Sequence, residues 1–250
     1  MDPLIHRQIF KVRGYDVDLT MHASILATIR LMHDAAVDQV IELGFSALQL
    51  MPRKLGWVLT QQYLEIFERP KLGDQVEIVT YPSGIEKAFT YRDYYMYSDQ
   101  KKLLAQATTS WILMDISSRK ISAYPEDIQK ILHQTVGLNH LPRAPHFSPS
   151  KEKSNWQKSF YSSYFELDFN GHISNHYFYK WMLDAVPMDF LFRHKLIQFN
   201  VKFKGEAFAG DKVIAEVVMD RDLTVHHQLI KDDECIATGI SHWQSIPQER

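Results

Sequence analysis

Apolar residues recur at helical spacing in two places along the chain. Ile25, Ile29, Met32 and Ala36 line one side of a predicted helix over residues 24–43, and Phe178, Trp181, Met182 and Ala185 line another over residues 174–194. Ser24 and Ser174 stand where an N-cap hydroxyl is wanted, and Gly44 stands where the first helix should stop. The apolar face of each helix is wide, which predicts a helix wrapped by other structure. Runs rich in β-branched and aromatic residues predict strands over 8–13, 57–67, 75–81, 89–98 and 103–115. A second set follows over 156–162, 198–204, 213–219, 224–230 and 235–244. Ser98-Asp99-Gln100 and Lys231-Asp232-Asp233 read as hairpin turns.

The two sets repeat each other. Asp18-Leu-Thr-Met-His22 leads into the first helix, and Asp168-Phe-Asn-Gly-His172 leads into the second. In one ungapped register Asp18 pairs with Asp168, His22 with His172, Ser24 with Ser174, Met32 with Met182 and Asp34 with Asp184. Further on, Leu72-Gly-Asp-Gln-Val76 matches Ala209-Gly-Asp-Lys-Val213, so the chain reads as a duplicated domain. One helix followed by an antiparallel meander predicts a sheet curled round its helix. The expected fold is therefore of the α+β class, a tandem double hotdog. The three prolines of Leu141-Pro-Arg-Ala-Pro-His-Phe-Ser-Pro-Ser150 continue neither a helix nor a central strand. Expected boundaries are an N-terminal hotdog over 1–140, a linker over 141–155 and a C-terminal hotdog over 156–250.

With 45% hydrophobic and 23% charged residues in 250, the composition is that of a soluble globular protein. A net charge of -2 lacks the dense basic stripe of a nucleic-acid binder. The single cysteine, Cys235, cannot form an internal disulfide, which favours a reducing compartment. The N-terminus has no long apolar stretch, and no run of ~18 apolar residues predicts a membrane span. A cytoplasmic location is expected, and the oligomeric state, monomer or homodimer, stays open.

Gly56-Trp-Val-Leu-Thr60, Pro70-Lys-Leu-Gly-Asp74, Val76-Glu-Ile-Val-Thr80, Tyr91-Arg-Asp-Tyr94, Ser110-Trp-Ile-Leu-Met114 and Ser122-Ala-Tyr-Pro-Glu126 occur in that order. Together they resemble the first half of the acyl-acyl carrier protein thioesterases of plants and bacteria. Asp168-Phe-Asn-Gly-His172-Ile-Ser-Asn175 resembles that family's catalytic D-x-N-x-H-x-N-N stretch, and Trp181 fits the tryptophan that follows it. Phe203-Lys-Gly-Glu206 resembles the strand that carries the catalytic glutamate. The resemblance implies hydrolysis of fatty acyl thioesters held on the phosphopantetheine of acyl carrier protein, without a cofactor. It also implies Asp168, Asn170, His172 and Glu206 as catalytic residues. Three positions depart from the pattern: Ser174 replaces the first asparagine of the pair, Leu72 a tryptophan, and Ala207 the cysteine that many relatives carry beside the glutamate. The last argues against a cysteine nucleophile.

Thioester hydrolysis needs an activated water, a polarised carbonyl and a stabilised oxyanion. A polar loop just before a helix N-terminus can supply these. Glu206 is expected as general base or water holder, with His172 and Asn170 positioning water and thioester. Asp168 would orient the loop, and Asn175 would support the site from the first helical turn. Taken alone, D-x-N-x-H is more often a turn that caps a helix, and a glutamate near a strand end is usually solvated. No metal site is expected: position 173 is Ile, where a zincin has Glu after its first His. His226 and His227 are strand neighbours pointing to opposite faces. Cys235 reads as a packing residue, and Asp74 and Asp211 as turn formers. In the first half, Thr20, Ile25 and Arg69 stand opposite Asn170, Asn175 and Glu206. An arginine cannot act as a base. One active site, in the second half, is therefore expected, with Ile25, Ile29 and Met32 of the first half binding the acyl chain. Open alternatives are an acyl-coenzyme A thioesterase of the same fold, a non-enzymatic acyl-binding hotdog and, as a minor option, a hotdog dehydratase.

Overall fold

The computed structural model describes residues 4–134, 140–150 and 152–247. The chain divides into two units, Met1–Ala144 and Pro145–Arg250.

Unit 1 begins with β1 (His6–Lys11) and continues through α1 (Ile25–Glu42) and a short α2 (Ala47–Leu50). Four strands follow: β2 (Leu55–Ile66), β3 (Gln75–Glu86), β4 (Phe89–Ser98) and β5 (Leu103–Asp115). A two-residue β6 (Lys120–Ile121) and α3 (Glu126–His133) come last. The strands form one antiparallel sheet in the order β1-β3-β4-β5-β2, with β6 on β5. Ser24 caps α1 by accepting the Ala27 N–H at 3.0 Å. Gly44, at φ 81, ends it in the left-handed conformation that glycine adopts without strain. The face of α1 turned to the sheet carries buried Ile29, Leu31, Met32, Ala35 and Ala36.

Unit 2 repeats the plan. It contains β7 (Trp156–Tyr161), α4 (Asn175–Asp184), α5 (Met188–Leu191), β8 (His194–Phe203), β9 (Lys212–Met219), β10 (Thr224–Lys231) and β11 (Glu234–Ser245). The antiparallel order is β7-β9-β10-β11-β8, the counterpart of β1-β3-β4-β5-β2. Both units are thus α+β hotdogs. The β10–β11 turn places Asp232 and Asp233 at φ 48 and 62, a primed hairpin turn matching the right-handed strand twist.

Several elements differ from the sequence expectation, which held neither α2 nor β6. The second helix does not run to residue 194: it stops at Asp184, and His194 already opens β8. Pro187 is the cause. It lacks an N–H for the carbonyl of Leu183, and its ring disfavours helical backbone at Val186. Val37, at the same register in α1, lets that helix continue. Missed altogether is α3, which follows Pro125, opens with Glu126 and Asp127, and buries Ile128 and Leu132 one turn apart.

The early end of α4 leaves a helix carbonyl to be satisfied. The Val186 N–H donates to Leu183 O at 3.1 Å, so Met182 O takes its partner from the sheet. His227 Nδ1 lies 3.1 Å from Met182 O, and its Nε2 lies 2.7 Å from Ser241 Oγ, which also accepts the Trp243 indole N–H at 2.8 Å. A carbonyl can only accept, so the proton sits on Nδ1 and Nε2 accepts from Ser241. Burial holds the His227 pKa down at about 3. Gly239 makes room at this crossing: a Cβ there would stand 3.1 Å from Met182 Sδ and 3.3 Å from Phe199 Cε2.

Candidate active site

Backbone hydrogen bonds build the 168–175 segment into a rigid loop. Asp168 N–H donates to His172 O at 2.7 Å, and Gly171, at φ 77, closes the turn by donating to Asp168 O at 3.0 Å. Asp168 Oδ1 accepts from the N–H groups of Asn170 (2.8 Å) and His172 (3.2 Å), so the carboxylate shapes the loop from within. Ile173 N–H donates to Ala207 O at 2.7 Å, stitching the loop to the turn after β8. Ser174 N–H donates to Glu166 O, and Ser174 Oγ caps α4 through the His176 N–H at 3.3 Å. Asn175 is the first residue of α4 and Asn170 is exposed.

Glu206 does not lie on a strand. It sits beyond the end of β8, in the segment that Ile173 stitches. Its Oε1 stands 3.5 Å from His172 Nδ1, with the two side chains 30% and 26% exposed. A carboxylate and an imidazole are therefore face to face and open to solvent. That arrangement can accept a proton and pass it on.

His172 and Glu206 thus meet in unit 2 beside the carboxylate of Asp168, with Asn170 on the same loop and Asn175 at the start of α4. Phe208, which sequence reasoning passed over, belongs with them: its ring meets that of His172 edge-on, centroids 5.1 Å apart at 85°. The only sequence signal was an apolar residue in a Gly-Asp turn. His176 lies inside α4 and His172 before it, so the two do not share a helix face. Among the described residues no cluster of three His, Cys, Asp or Glu could hold a metal.

Unit 1 carries the same frame with other side chains. Asp18 N–H donates to His22 O at 2.9 Å, Ala23 N–H to Pro70 O at 2.8 Å, and Ser24 N–H to Asp16 O at 2.7 Å. These match bond for bond the loop around Asp168. Arg69, at the place of Glu206, ion-pairs with Asp18 and donates to Thr20 Oγ1 at 3.1 Å. Burial alone would raise the Asp18 pKa, but hydrogen bonds from Thr20 and Arg69 outweigh it and hold the carboxyl below its ordinary value. His22 Nδ1 turns back to Thr20 O at 2.7 Å. Ile29 and Met32 are packed into the unit 1 core, and Ile25 is half-buried at the start of α1. The two cavities described in unit 1 are lined by other residues, among them His6, Asp38 and Glu42 in one and Tyr91, Thr108 and Arg143 in the other.

Comparisons with known proteins identify the family and the fold. The family model for the acyl-ACP thioesterase N-terminal domain matches residues 3–132, and that for the acyl-ACP thioesterase C-terminal domain matches residues 149–245. The chain is 24% identical over 262 residues to the chloroplastic acyl-[acyl-carrier-protein] hydrolase FATB3 of Cuphea viscosissima, covering 97% of this chain and 63% of that one. It is 25% identical over 233 residues to the chloroplastic oleoyl-acyl carrier protein thioesterase 2 of Arabidopsis thaliana, covering 85% and 62%. The chain therefore spans less than two thirds of these curated relatives. Among solved structures, a Lactobacillus plantarum protein provisionally described as an oleoyl thioesterase superposes with TM-score 0.89 at 25% identity, over 98% of this chain and 97% of that one. The 12:0-ACP thioesterase of Umbellularia californica shares the fold at TM-score 0.89 and 18% identity, over 97% and 98%.

Proposed function

The chain belongs to the acyl-ACP thioesterase family, and from that premise we propose that it hydrolyses fatty acyl thioesters of acyl carrier protein. The products are free fatty acid and the carrier with its phosphopantetheine thiol. Residues 156–250 carry the chemistry. Residues 1–140 select the acyl chain through Ile25, Ile29 and Met32, and 141–155 link the two. What supports the reading most is the contrast around one position: Glu206 faces His172 Nδ1 at 3.5 Å, whereas Arg69 locks the equivalent loop of unit 1.

In this reading a water is held between Glu206, His172 and Asn170. Its proton passes to Glu206, directly or through the imidazole, as its oxygen attacks the thioester carbonyl carbon. The carbonyl oxygen becomes an oxyanion near the first turn of α4, where the helix dipole favours negative charge. The Asn170 amide donates and accepts at once, so it can hold carbonyl and water together. Asp168 keeps the loop in shape, and Asn175 supports it from the helix. The C–S bond then breaks, and the leaving thiolate takes up the proton that the base received.

The carrier's acidic surface needs a basic counterpart. Of the five cations that the sequence offers around α4 and β8, Lys180 is paired with Asp184 at 2.5 Å. Lys202 covers the Phe147 ring at 4.6 Å, its pKa lowered by burial and then by neighbouring Lys204. Exposed Arg193, Lys195 and Lys204 remain as the docking cations of this proposal. The free thiol of Cys235 fits a reducing compartment such as the cytoplasm.

Turnover of matched acyl chains on carrier protein and on coenzyme A tests the proposal, with Glu206→Gln beside the parent. A kcat that collapses in Glu206→Gln at nearly constant KM is expected, since the base acts in the transition state. A parent inactive on every thioester overturns the activity. Equal kcat/KM on both carriers overturns the choice of partner, and a rise in KM alone makes Glu206 a binding residue.

A further inference from the structure

We infer that Phe208 is a positioning residue for His172, aiming the imidazole at Glu206, and that the Asp211–Lys231 pair holds Phe208 in place. The inference rests on the reading of His172 as a catalytic group.

The turn that carries Phe208 is fixed from several sides. Its N–H donates to Asp211 Oδ2 at 2.8 Å. Its carbonyl accepts from the Asp211 N–H at 3.1 Å and from Ser162 Oγ at 2.5 Å. Gly210, at φ 92, closes the turn and donates to Ser162 O at 3.0 Å. Lys231 Nζ then stands 3.1 Å from Asp211 Oδ2 and 5.2 Å from the centre of the Phe208 ring. Burial would raise the Asp211 pKa, but the Phe208 N–H and Lys231 outweigh it, so the carboxylate is held charged. The residue stays 44% exposed. An apolar residue this open and this firmly mounted contributes little to the core. Its distinctive contact is the His172 ring, met edge-on at 5.1 Å, a geometry that favours one ring orientation over others.

Unit 1 offers a comparison, in which Arg69 also replaces Glu206. The same turn is present there, with Lys71 N–H donating to Asp74 Oδ2 at 2.8 Å and Gly73 at φ 94. The residue at the place of Phe208 is Lys71, which offers no ring. There His22 folds back, its Nδ1 2.7 Å from the carbonyl of Thr20 in its own loop. In unit 2 the corresponding carbonyl belongs to Asn170, yet His172 Nδ1 faces Glu206. One loop frame therefore supports two imidazole orientations, and the aromatic brace accompanies the one that faces the base. Removing the ring lets His172 turn back as His22 does.

Phe208→Ala and Phe208→Lys, the latter copying unit 1, should lower kcat about 10- to 100-fold with little change in KM, the cost of a misaimed group. Phe208→Tyr keeps the ring and should restore kcat. Phe208→Leu keeps apolar bulk without the ring, should melt like the parent, and should share the loss. The imidazole NMR signals of His172 should report a single orientation in the parent and in Phe208→Tyr, and an averaged or turned-back one in Phe208→Ala. Parent-like kcat in both Phe208→Ala and Phe208→Leu, in a protein that Glu206→Gln inactivates, overturns the brace and leaves the site reading intact. Full activity of His172→Ala overturns the site reading and the brace with it.

Discussion

The loops before α1 and α4 share a backbone and differ in the side chains they carry. Each is closed by an aspartate N–H donating to a histidine carbonyl, and each is stitched to the turn after the following strand. In unit 1 the stitched turn delivers Arg69, which ties Asp18 and Thr20 into a closed knot. In unit 2 it delivers Glu206, which meets His172 across a solvent-open gap. A frame made of main-chain bonds does not by itself specify chemistry. The side chains hung on it do: unit 2 carries Asn170, Asn175, Glu206 and Phe208 where unit 1 has Thr20, Ile25, Arg69 and Lys71.

The sharpest way to break this comparison is to remove the matching histidines separately. His172→Ala or Asn170→Ala should lower kcat at least ~100-fold in a folded protein, the usual loss of a positioned acid–base group. His22→Ala should leave turnover close to the parent. Loss of activity in a folded His22→Ala protein would show that unit 1 shares the chemistry.

The helix ends differ next most. A charged His227 is excluded from its buried site, with a pKa of about 3 against an ordinary 6.5. The unfolded chain therefore binds a proton that the folded chain refuses between those values, and stability contributed by neutral His227 falls as pH drops from 6.5 toward 3. His227→Ala leaves Met182 O without its partner and should cost about 2–3 kcal/mol at pH 7. Denaturant titrations at pH 7 and pH 4.5 should show a smaller pH dependence in this variant. An unchanged pH dependence would sink the argument. The smallest effect belongs to Arg69. Arg69→Ala should cost about 1 kcal/mol, because the pair with Asp18 is partly exposed, and should leave kcat unaltered. Since the Asp18 pKa is lowered in the fold, that contribution is present near neutral pH and fades as acid protonates the carboxylate. A drop in kcat would tie the closed loop to function.

Much of the fold is legible in the sequence. The ungapped register between the halves carried the fold, because a hydrogen-bonded loop, a capped helix and a meander each leave periodic marks. Arg69 opposite Glu206 was visible for the same reason. What escaped was set by single residues acting against the pattern. Pro187 stops α4 while the apolar spacing runs on, and α3 announces itself only by Pro125 and two acidic residues. Phe208 was hidden because an exposed aromatic in a turn looks incidental until its neighbour is known. The sequence marks His227 as a strand residue, which it is, but its bond to Met182 O depends on the helix end that Pro187 sets.

The paired loops on one chain have an evolutionary consequence. When two identical subunits assemble around a symmetry axis, every substitution is made twice, so neither copy of a site can change without the other. Here the two copies are encoded separately. A base can be exchanged for an arginine in one while its counterpart persists, and each half can drift toward its own task under its own selection.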